Sequence, residues 1–477
     1  MTGADLVIAN GTLALPSGAV KADVAIKDGR IAAIANPGEL KGAMLMDASG
    51  KLVLPGAIDM HVHFREPGFE HKEDFWHGTA AAACGGVTTV CDMPNTSPPV
   101  IDPDRFAMKL EKIAASAHVD FGLWAGGFLT EHFAALNALG AVGLKVYMNR
   151  AVRATDPYAA ELSMPDDATF IAAMKAAAAY DWPISVHLAN PALDEAVRAT
   201  LIARGSVDPA DVCCSFRSPE SVEALSRAAL FARIHGARLH IAHISLNAIE
   251  ALDALVEQRN RGCRISAEIV PPALGFGELP HLGSKGVPFA HPEEHLERYW
   301  SAIAAGVIDA IATDHAPHTL AEKEAGRKNP WGAPPGYPGV ETSLAIMIDA
   351  MLAGRLSIET LVRVTSENPA RILQLPDKGA IAPGKDADLV LVNPDGEWLV
   401  DETKLHSKAG WSPFHGRRLN GRVVATLLRG SVVAKDGELV PGKPRGKQVR
   451  PRRARVPEFA MRPGKFQEIL RAKILVP

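Results

Sequence analysis

The chain has 477 residues, 47% of them hydrophobic and 22% charged, with a net charge of -3 at neutral pH. That balance suits a globular protein with room for one large barrel and a smaller domain, and it makes no global case for nucleic acid or membrane as partner. No apolar run approaches the ~20 residues that cross a bilayer.

The opening Met1-Thr2-Gly3-Ala4-Asp5 lacks the charged-then-apolar pattern of a signal peptide. Five cysteines, Cys84, Cys91, Cys213, Cys214 and Cys263, fit no Cys-x-x-Cys spacing. Reduced thiols in a cytoplasmic protein are expected, with Cys213 and Cys214 as neighbouring buried thiols rather than a metal or redox pair.

Residues 1–55 read as all-β. Residues 5–8 are expected as a strand that stops before Asn10-Gly11. Asp28-Gly29, set in the alternating stretch 24–31, predicts a hairpin, because this dipeptide supports a tight turn. Residues 52–60 form an apolar run broken by Pro55-Gly56.

From 56 to 375 apolar runs alternate with alanine-rich stretches, the rhythm of parallel β/α units. Eight strands are expected, at 58–63, 87–93, 119–125, 142–148, 184–187, 239–243, 265–270 and 308–314. Between them, helices are expected over 167–180 and after Ser218-Pro219, the latter ending at Gly236. Eight such units predict an α/β fold, a (β/α)8 barrel.

Residues 376–440 return to β style, with strands at 388–392 and 423–428 and a hairpin at Asp436-Gly437. Both chain ends are expected to pair into one small β-sandwich, into which the barrel is inserted. Residues 441–477 form a basic tail, including Arg450, Arg452, Arg453 and Arg455. It reads as a solvated segment or an arm over a neighbouring subunit. Nothing aromatic is interleaved with it as a nucleic-acid arm would require.

The chemistry gathers where barrel enzymes keep it, at the C-terminal strand ends. His61 and His63, two apart on a strand, point to one face. Lys145 belongs to strand four, His187 to strand five, His243 to strand six and Asp314 to strand eight. Each alone has a dull explanation, but all six fall at one rim. Four imidazoles and a carboxylate exceed the roughly three protein ligands of a single catalytic zinc, so two divalent metals are expected. Two cations need a bridging anion. Lys145, with apolar Leu144, Val146 and Met148 around it, would be pushed toward its neutral amine, which can capture carbon dioxide as a carbamate.

Three stretches carry a family resemblance: Asp59-Met60-His61-Val62-His63-Phe64-Arg65-Glu66-Pro67-Gly68, Gly85-Gly86-Val87-Thr88-Thr89-Val90-Cys91-Asp92-Met93-Pro94-Asn95-Thr96, and Ala312-Thr313-Asp314-His315-Ala316-Pro317-His318. Over residues 5–440 the chain resembles the amidohydrolase superfamily, specifically its cyclic-amidase group of dihydroorotases, allantoinases and hydantoinases. The resemblance implies one metal on His61, His63 and Asp314, a second on His187 and His243, and carbamylated Lys145 between them, zinc being the expected ion. It implies ring-amide hydrolysis by a binuclear-metal hydroxide, with Asp314 as general base and then acid. A homodimer or homotetramer is implied as well.

Dihydroorotase is the nearest match. Arg65 and Asn95 correspond to residues that hold its substrate carboxylate, and His318 is expected at the substrate too. Allantoinase-like chains place a small polar residue at Arg65, and hydantoinase-like chains a tyrosine at Arg150. The chain departs from dihydroorotases at Val287, where an asparagine is usual, and at Pro271-Pro272-Ala273. The stretch His406-Ser407-Lys408-Ala409-Gly410-Trp411-Ser412-Pro413-Phe414 is similar to allantoinases and hydantoinases. Allantoinase, hydantoinase and a non-catalytic scaffold are therefore the alternatives.

Overall fold

The structure, a computed structural model, describes residues 3–148, 159–208, 211, 220–246, 248–275, 293–326, 329–332 and 334–453. Five N-terminal strands come first: β1 (Ala4–Leu15), β2 (Gly18–Lys27), β3 (Arg30–Ala35), β4 (Gly42–Asp47) and β5 (Leu52–Pro55). Four more close the described chain: β14 (Leu389–Leu399), β15 (Arg418–Leu428), β16 (Ser431–Lys435) and β17 (Glu438–Leu439). They join in one sheet of order β17-β16-β15-β14-β5-β1-β2-β3, with β4 also on β1. The seam between the two ends is β5 against β14, antiparallel, with Val53 opposite Leu391. Leu6, Ile8, Leu13, Val24 and Ile26 from one end pack with Leu389, Leu391 and Leu427 from the other in a core of their own.

One strand expectation needs correction. β1 does not stop before Asn10-Gly11; it runs on to Leu15. The pairing with β2 slips between Ile8 and Gly11. Asn10 adopts φ 63° there, and its N–H donates to Asp23 Oδ1 at 2.8 Å. The dipeptide makes a bulge rather than a turn, because both flanks keep apolar partners to pair with.

Between these ends lie eight parallel strands: β6 (Ala57–Val62), β7 (Val87–Asp92), β8 (Asp120–Leu123), β9 (Leu144–Tyr147), β10 (Pro183–His187), β11 (Arg238–Ile241), β12 (Arg264–Ile269) and β13 (Ala310–Ile311). They form two arcs, β6-β7-β8 and β9 to β13. Single parallel bridges, Ala125 to Leu144 and Val62 to His315, close the arcs into a ring. The expected run 52–60 is therefore two strands, β5 in the outer sheet and β6 in the barrel. Gly56 makes the step between them, where a Cβ would overlap the Thr88 side chain. Strand eight is only Ala310–Ile311; its remaining expected length is loop carrying the site.

Helices fill the connections. α1 (Phe75–Cys84) starts at Asp74, whose side chain accepts from His77 N–H. α2 (Asp167–Ala179) and α3 (Glu220–His235) match the expected helices, and Gly236 follows α3 with φ 65°. The expected start at Ser218-Pro219 lies outside the described residues, as do Cys213, Cys214, Arg150 and Val287. The other cysteines, Cys84, Cys91 and Cys263, are free and buried.

As far as Arg453 the tail is bonded to the barrel on one side and exposed on the other, with Lys443, Arg445, Lys447, Arg450 and Arg452 at the surface. Phe121 N–H donates to Lys447 O at 3.0 Å and Val449 N–H to Phe121 O at 2.8 Å, so the segment extends β8 at its open edge. Arg453 lies over the Trp182 ring, 5.6 Å from its centroid, and donates to the carbonyls of Ala141 and Val142. The arginines there serve the chain's own barrel. No helix among the described residues is long and apolar enough to cross a membrane.

Candidate active site

The six expected ligands meet at the C-terminal mouth of the barrel. His63 Nε2 lies 3.0 Å and His61 Nε2 3.4 Å from the same Asp314 oxygen. His187 Nδ1 lies 3.0 Å from His243 Nε2. The His61 and His243 ring centroids are 5.4 Å apart, which joins the trio to the pair. These spacings fit the ligand-to-ligand edges of a metal site, since metal–nitrogen bonds of ~2.0 Å put neighbouring donors about 3 Å apart.

The proton arrangement agrees. His61 Nδ1 bonds the Glu268 carboxylate, and His63 Nδ1 lies 2.6 Å from Asn95 Oδ1. With both Nδ1–H groups donated, both Nε2 lone pairs face the Asp314 oxygen. Two lone pairs and a carboxylate converging in a buried site call for a cation. Burial, offset in part by Asp314, lowers the pKa of His63 to about 4. Burial and the Lys145 charge lower that of His187 to about 3. Burial alone would raise the Asp314 carboxyl, yet His61, His63 and His243 hold it well below its usual range.

Lys145 is fully buried on β9, and its Nζ has no hydrogen-bond partner among the described residues. It sits 5.1 Å from the Tyr147 ring centroid. Burial lowers its pKa to about 8 against the pull of Glu268 and Asp314. A buried, partnerless amine at that value fits carbamate formation. The donor set thus suits two divalent cations, with oxygen and nitrogen ligands only.

Strand alternation would put Arg65, two residues after His63, on the same face. β6 ends at Val62, and Arg65 lies beyond it at φ 64°. His243 and Asp314 also have positive φ, 35° and 48°. Such backbone persists in non-glycine residues only where the surroundings fix it. The Arg65 guanidinium is 5% exposed, donates to Pro317 O at 3.2 Å and lies 3.2 Å from His318 Nε2. It forms no ion pair among the described residues; Glu66 instead accepts from Phe75 N–H and Glu73 from Ser407 Oγ.

His318 lies between Arg65 and Lys72, the latter at 3.3 Å from Nδ1. Burial keeps it neutral, its pKa lowered to about 3. A neutral imidazole has one acceptor nitrogen, so it satisfies one of these two cations and not both. Asn95, expected at the substrate, is observed on His63.

Several residues around the ligands escaped the sequence reading. Glu268, on β12, bonds His61 with one oxygen and His240 Nε2 at 3.0 Å with the other, and accepts from His243 N–H at 3.3 Å. Asp59 accepts from Thr313 N–H at 3.1 Å and Thr313 Oγ1 at 2.5 Å. Burial raises its pKa to about 7. His315 Nδ1 accepts from Gly339 N–H at 3.0 Å, so its Nε2–H points to Glu73, 3.3 Å away. The available signal was an acid set alone inside an apolar strand, at Asp59 and Glu268.

Residues 52–433 match the Amidohydrolase family. The chain belongs to that family. It is 38% identical to an allantoinase of Rubrobacter xylanophilus over 95% of this chain and 99% of the relative. It is also 38% identical to a dihydroorotase of Halobacterium salinarum, over 88% and 96%. Among solved structures, an L-hydantoinase (dihydropyrimidinase) from Arthrobacter aurescens superimposes with a TM-score of 0.89 at 31% identity, covering 94% of this chain and all of that one. This amidohydrolase is a cyclic-amide hydrolase of the allantoinase, dihydroorotase and hydantoinase type, built on a (β/α)8 barrel.

Proposed function

We propose that this amidohydrolase opens and closes a cyclic amide that carries a carboxylate, with dihydroorotate and N-carbamoyl-aspartate as the pair. The observation that carries this reading is Arg65, a buried guanidinium at the mouth of the site with no anion paired to it among the described residues. Such a group favours a bound carboxylate, which it can grip with two parallel hydrogen bonds.

His61, His63 and Asp314 would hold one divalent cation and His187 and His243 the other, zinc being well suited to imidazole and carboxylate. Lys145, carbamylated as its amine nitrogen bonds carbon dioxide and releases a proton, would add a carboxylate to that set. Bound there, such a pair would lower the pKa of water toward neutrality and polarise a ring carbonyl. Asp314 takes the proton of the attacking water and returns it to the ring nitrogen as the C–N bond breaks. Glu268 and Asn95 hold the His61 and His63 rings in the ligating tautomer. Arg65 and His318 orient the substrate. The protein would assemble as a homodimer or homotetramer, which size-exclusion chromatography with light scattering checks.

The test is a substrate panel on protein reconstituted with zinc and bicarbonate. Dihydroorotate should turn over, and Arg65→Gln should lower kcat/KM for it by about 10–100-fold, the loss of one charge-assisted bond. A second reading, allantoin or a hydantoin, is favoured by Trp411, whose indole N–H donates to His318 O at 2.8 Å from a stretch similar to those enzymes. Turnover of those rings without turnover of dihydroorotate would replace the first reading with the second.

A further inference from the structure

A second group of metal-ligating side chains lies outside the catalytic mouth. Cys84 ends α1 and is buried. His406 comes from the stretch between β14 and β15, Glu438 from the β16–β17 hairpin, and Glu341 from the first turn of α4 (Val340–Leu352). Glu341 grips His406 twice: Oε1 is 2.9 Å from Nδ1, and Oε2 accepts the backbone N–H at 2.8 Å. Those two bonds fix the ring, and although Glu341 raises its pKa, the neutral ring carries its proton on Nδ1 and offers the Nε2 lone pair to a cation. That nitrogen faces Cys84 Sγ at 3.6 Å and Glu438 Oε2 at 3.9 Å.

A tetrahedral zinc ion with bonds of ~2.3 Å to sulfur and ~2.0 Å to nitrogen separates those two donors by about 3.5 Å. The observed 3.6 Å between sulfur and nitrogen is that edge. Ligating atoms of Cys84 and His406 lie within 4.8 Å of each other and of a Glu341 oxygen, and Glu438 joins the group through its 3.9 Å approach to His406. Glu341 supplies the carboxylate that ligating histidines commonly have behind them. The Glu438 side chain is 81% exposed, which leaves the ion an entry path and room for water as a fourth ligand.

We infer that Cys84, His406 and Glu438 form a separate site for a thiophilic divalent cation of the zinc class, with Glu341 positioning His406. As the metal–sulfur bond forms, the Cys84 proton leaves to solvent. Burial, helped by the charges of Glu341 and Glu438, pushes the free thiol's pKa up, so a cation is what makes the thiolate. The site has a route to the catalytic mouth. The next residue, Ser407, donates to Glu73 at 2.6 Å, and Glu73 holds His315 beside Asp314. A bound ion would clamp this stretch against α1. The inference does not rest on the substrate reading, because it concerns a different set of side chains.

Cobalt(II) is the probe. The catalytic donors are nitrogen and oxygen, so only a cysteine site gives a sulfur-to-cobalt charge-transfer band. Full-length protein with its catalytic metals loaded should take up one further equivalent of cobalt with that band. Cys84→Ser should abolish both the band and the extra equivalent while dihydroorotate or allantoin turnover persists. Glu438→Gln, at an exposed position where folding is not at stake, should weaken this uptake by at least about tenfold. Absence of the band in the unaltered protein, its survival in Cys84→Ser, or unchanged uptake by Glu438→Gln would overturn the assignment.

Discussion

Glu268 decides what His61 can do. One of its oxygens takes the His61 Nδ1 proton while the other faces His240 Nε2 at 3.0 Å. A carboxylate can accept from both rings. A carboxamide cannot, because its NH2 end would meet one of two N–H donors. Glu268→Gln is therefore expected to leave the fold in place and weaken metal binding by about 10–100-fold, measured by competition with a chelator. Lys145 makes a second prediction. Its amine must be neutral to take up carbon dioxide, and its pKa is lowered to about 8. Below that value the neutral fraction rises about tenfold per pH unit, and above it the fraction levels off. Bicarbonate-dependent reactivation of the metal-free protein should follow that curve; a flat response over the two units below the midpoint would contradict it. At this scale the convergence of the six proposed ligands was legible, since each stands at the end of an apolar run where a polar residue needs a reason. Glu268 and Asp59 were not, because the partners that tie them to the site, His61 for Glu268 and Thr313 for Asp59, lie about 200 or more residues away in the chain.

The eight barrel strands were legible as elements because buried parallel strands are nearly continuous apolar runs. What failed was punctuation. Asn10-Gly11 signals a turn locally, but the bulge there lets β1 keep pairing on both sides. The basic stretch after Pro441 reads as polar and loose, yet a strand edge was waiting for it. β8 and β9 diverge below the single bridge from Ala125 to Leu144, and the segment around Gln448 fills the opening beside Phe121. Composition could not reveal this, because an open edge is a property of two other strands. Arg453 ends the described strap with its guanidinium over Trp182 and on two barrel carbonyls. Ending the chain after Arg445, which uncovers the β8 edge and those carbonyls, should lower the thermal midpoint by several degrees relative to a chain ended after Arg453, in a calorimetric scan.

Lys378 ties the barrel to the outer sheet, beside an apolar seam in which Val390, Val392 and Leu428 pack with the barrel core. Its Nζ lies 2.6 Å from Asp120 at the start of barrel strand β8, 2.6 Å from Asp388 at the start of outer-sheet strand β14, and 3.1 Å from Asp386. Arg429, just past β15, pairs with Asp120, and the strap joins through Lys447 N–H, which donates to Asp120 at 2.8 Å. Pairing of the two chain ends could be inferred from their shared strand style, but this lock could not, since its members span residues 120–447. Burial works against the Lys378 charge, yet Asp388, Asp120 and Asp386 hold its pKa well above the ordinary lysine value. A raised pKa contributes stability that is complete below about 10.4 and is lost only as pH climbs through the folded value, so the lock is at full strength at neutral pH. Replacing Lys378 with Met leaves the buried Asp388 without its cation, while Asp120 keeps Arg429 and Asp386 keeps Arg30, at a cost of about 3–5 kcal/mol. Asp388 then carries a folded-state pKa above its unfolded one. The native state binds the extra proton, and stability returns as pH falls. The deficit of Lys378→Met against the unaltered chain, measured by denaturant unfolding, should accordingly be largest near neutral pH and shrink toward pH ~5. A deficit that stays constant over that range would mean that Asp388 reaches solvent once the lysine is gone, and that no buried unpaired carboxylate is left behind.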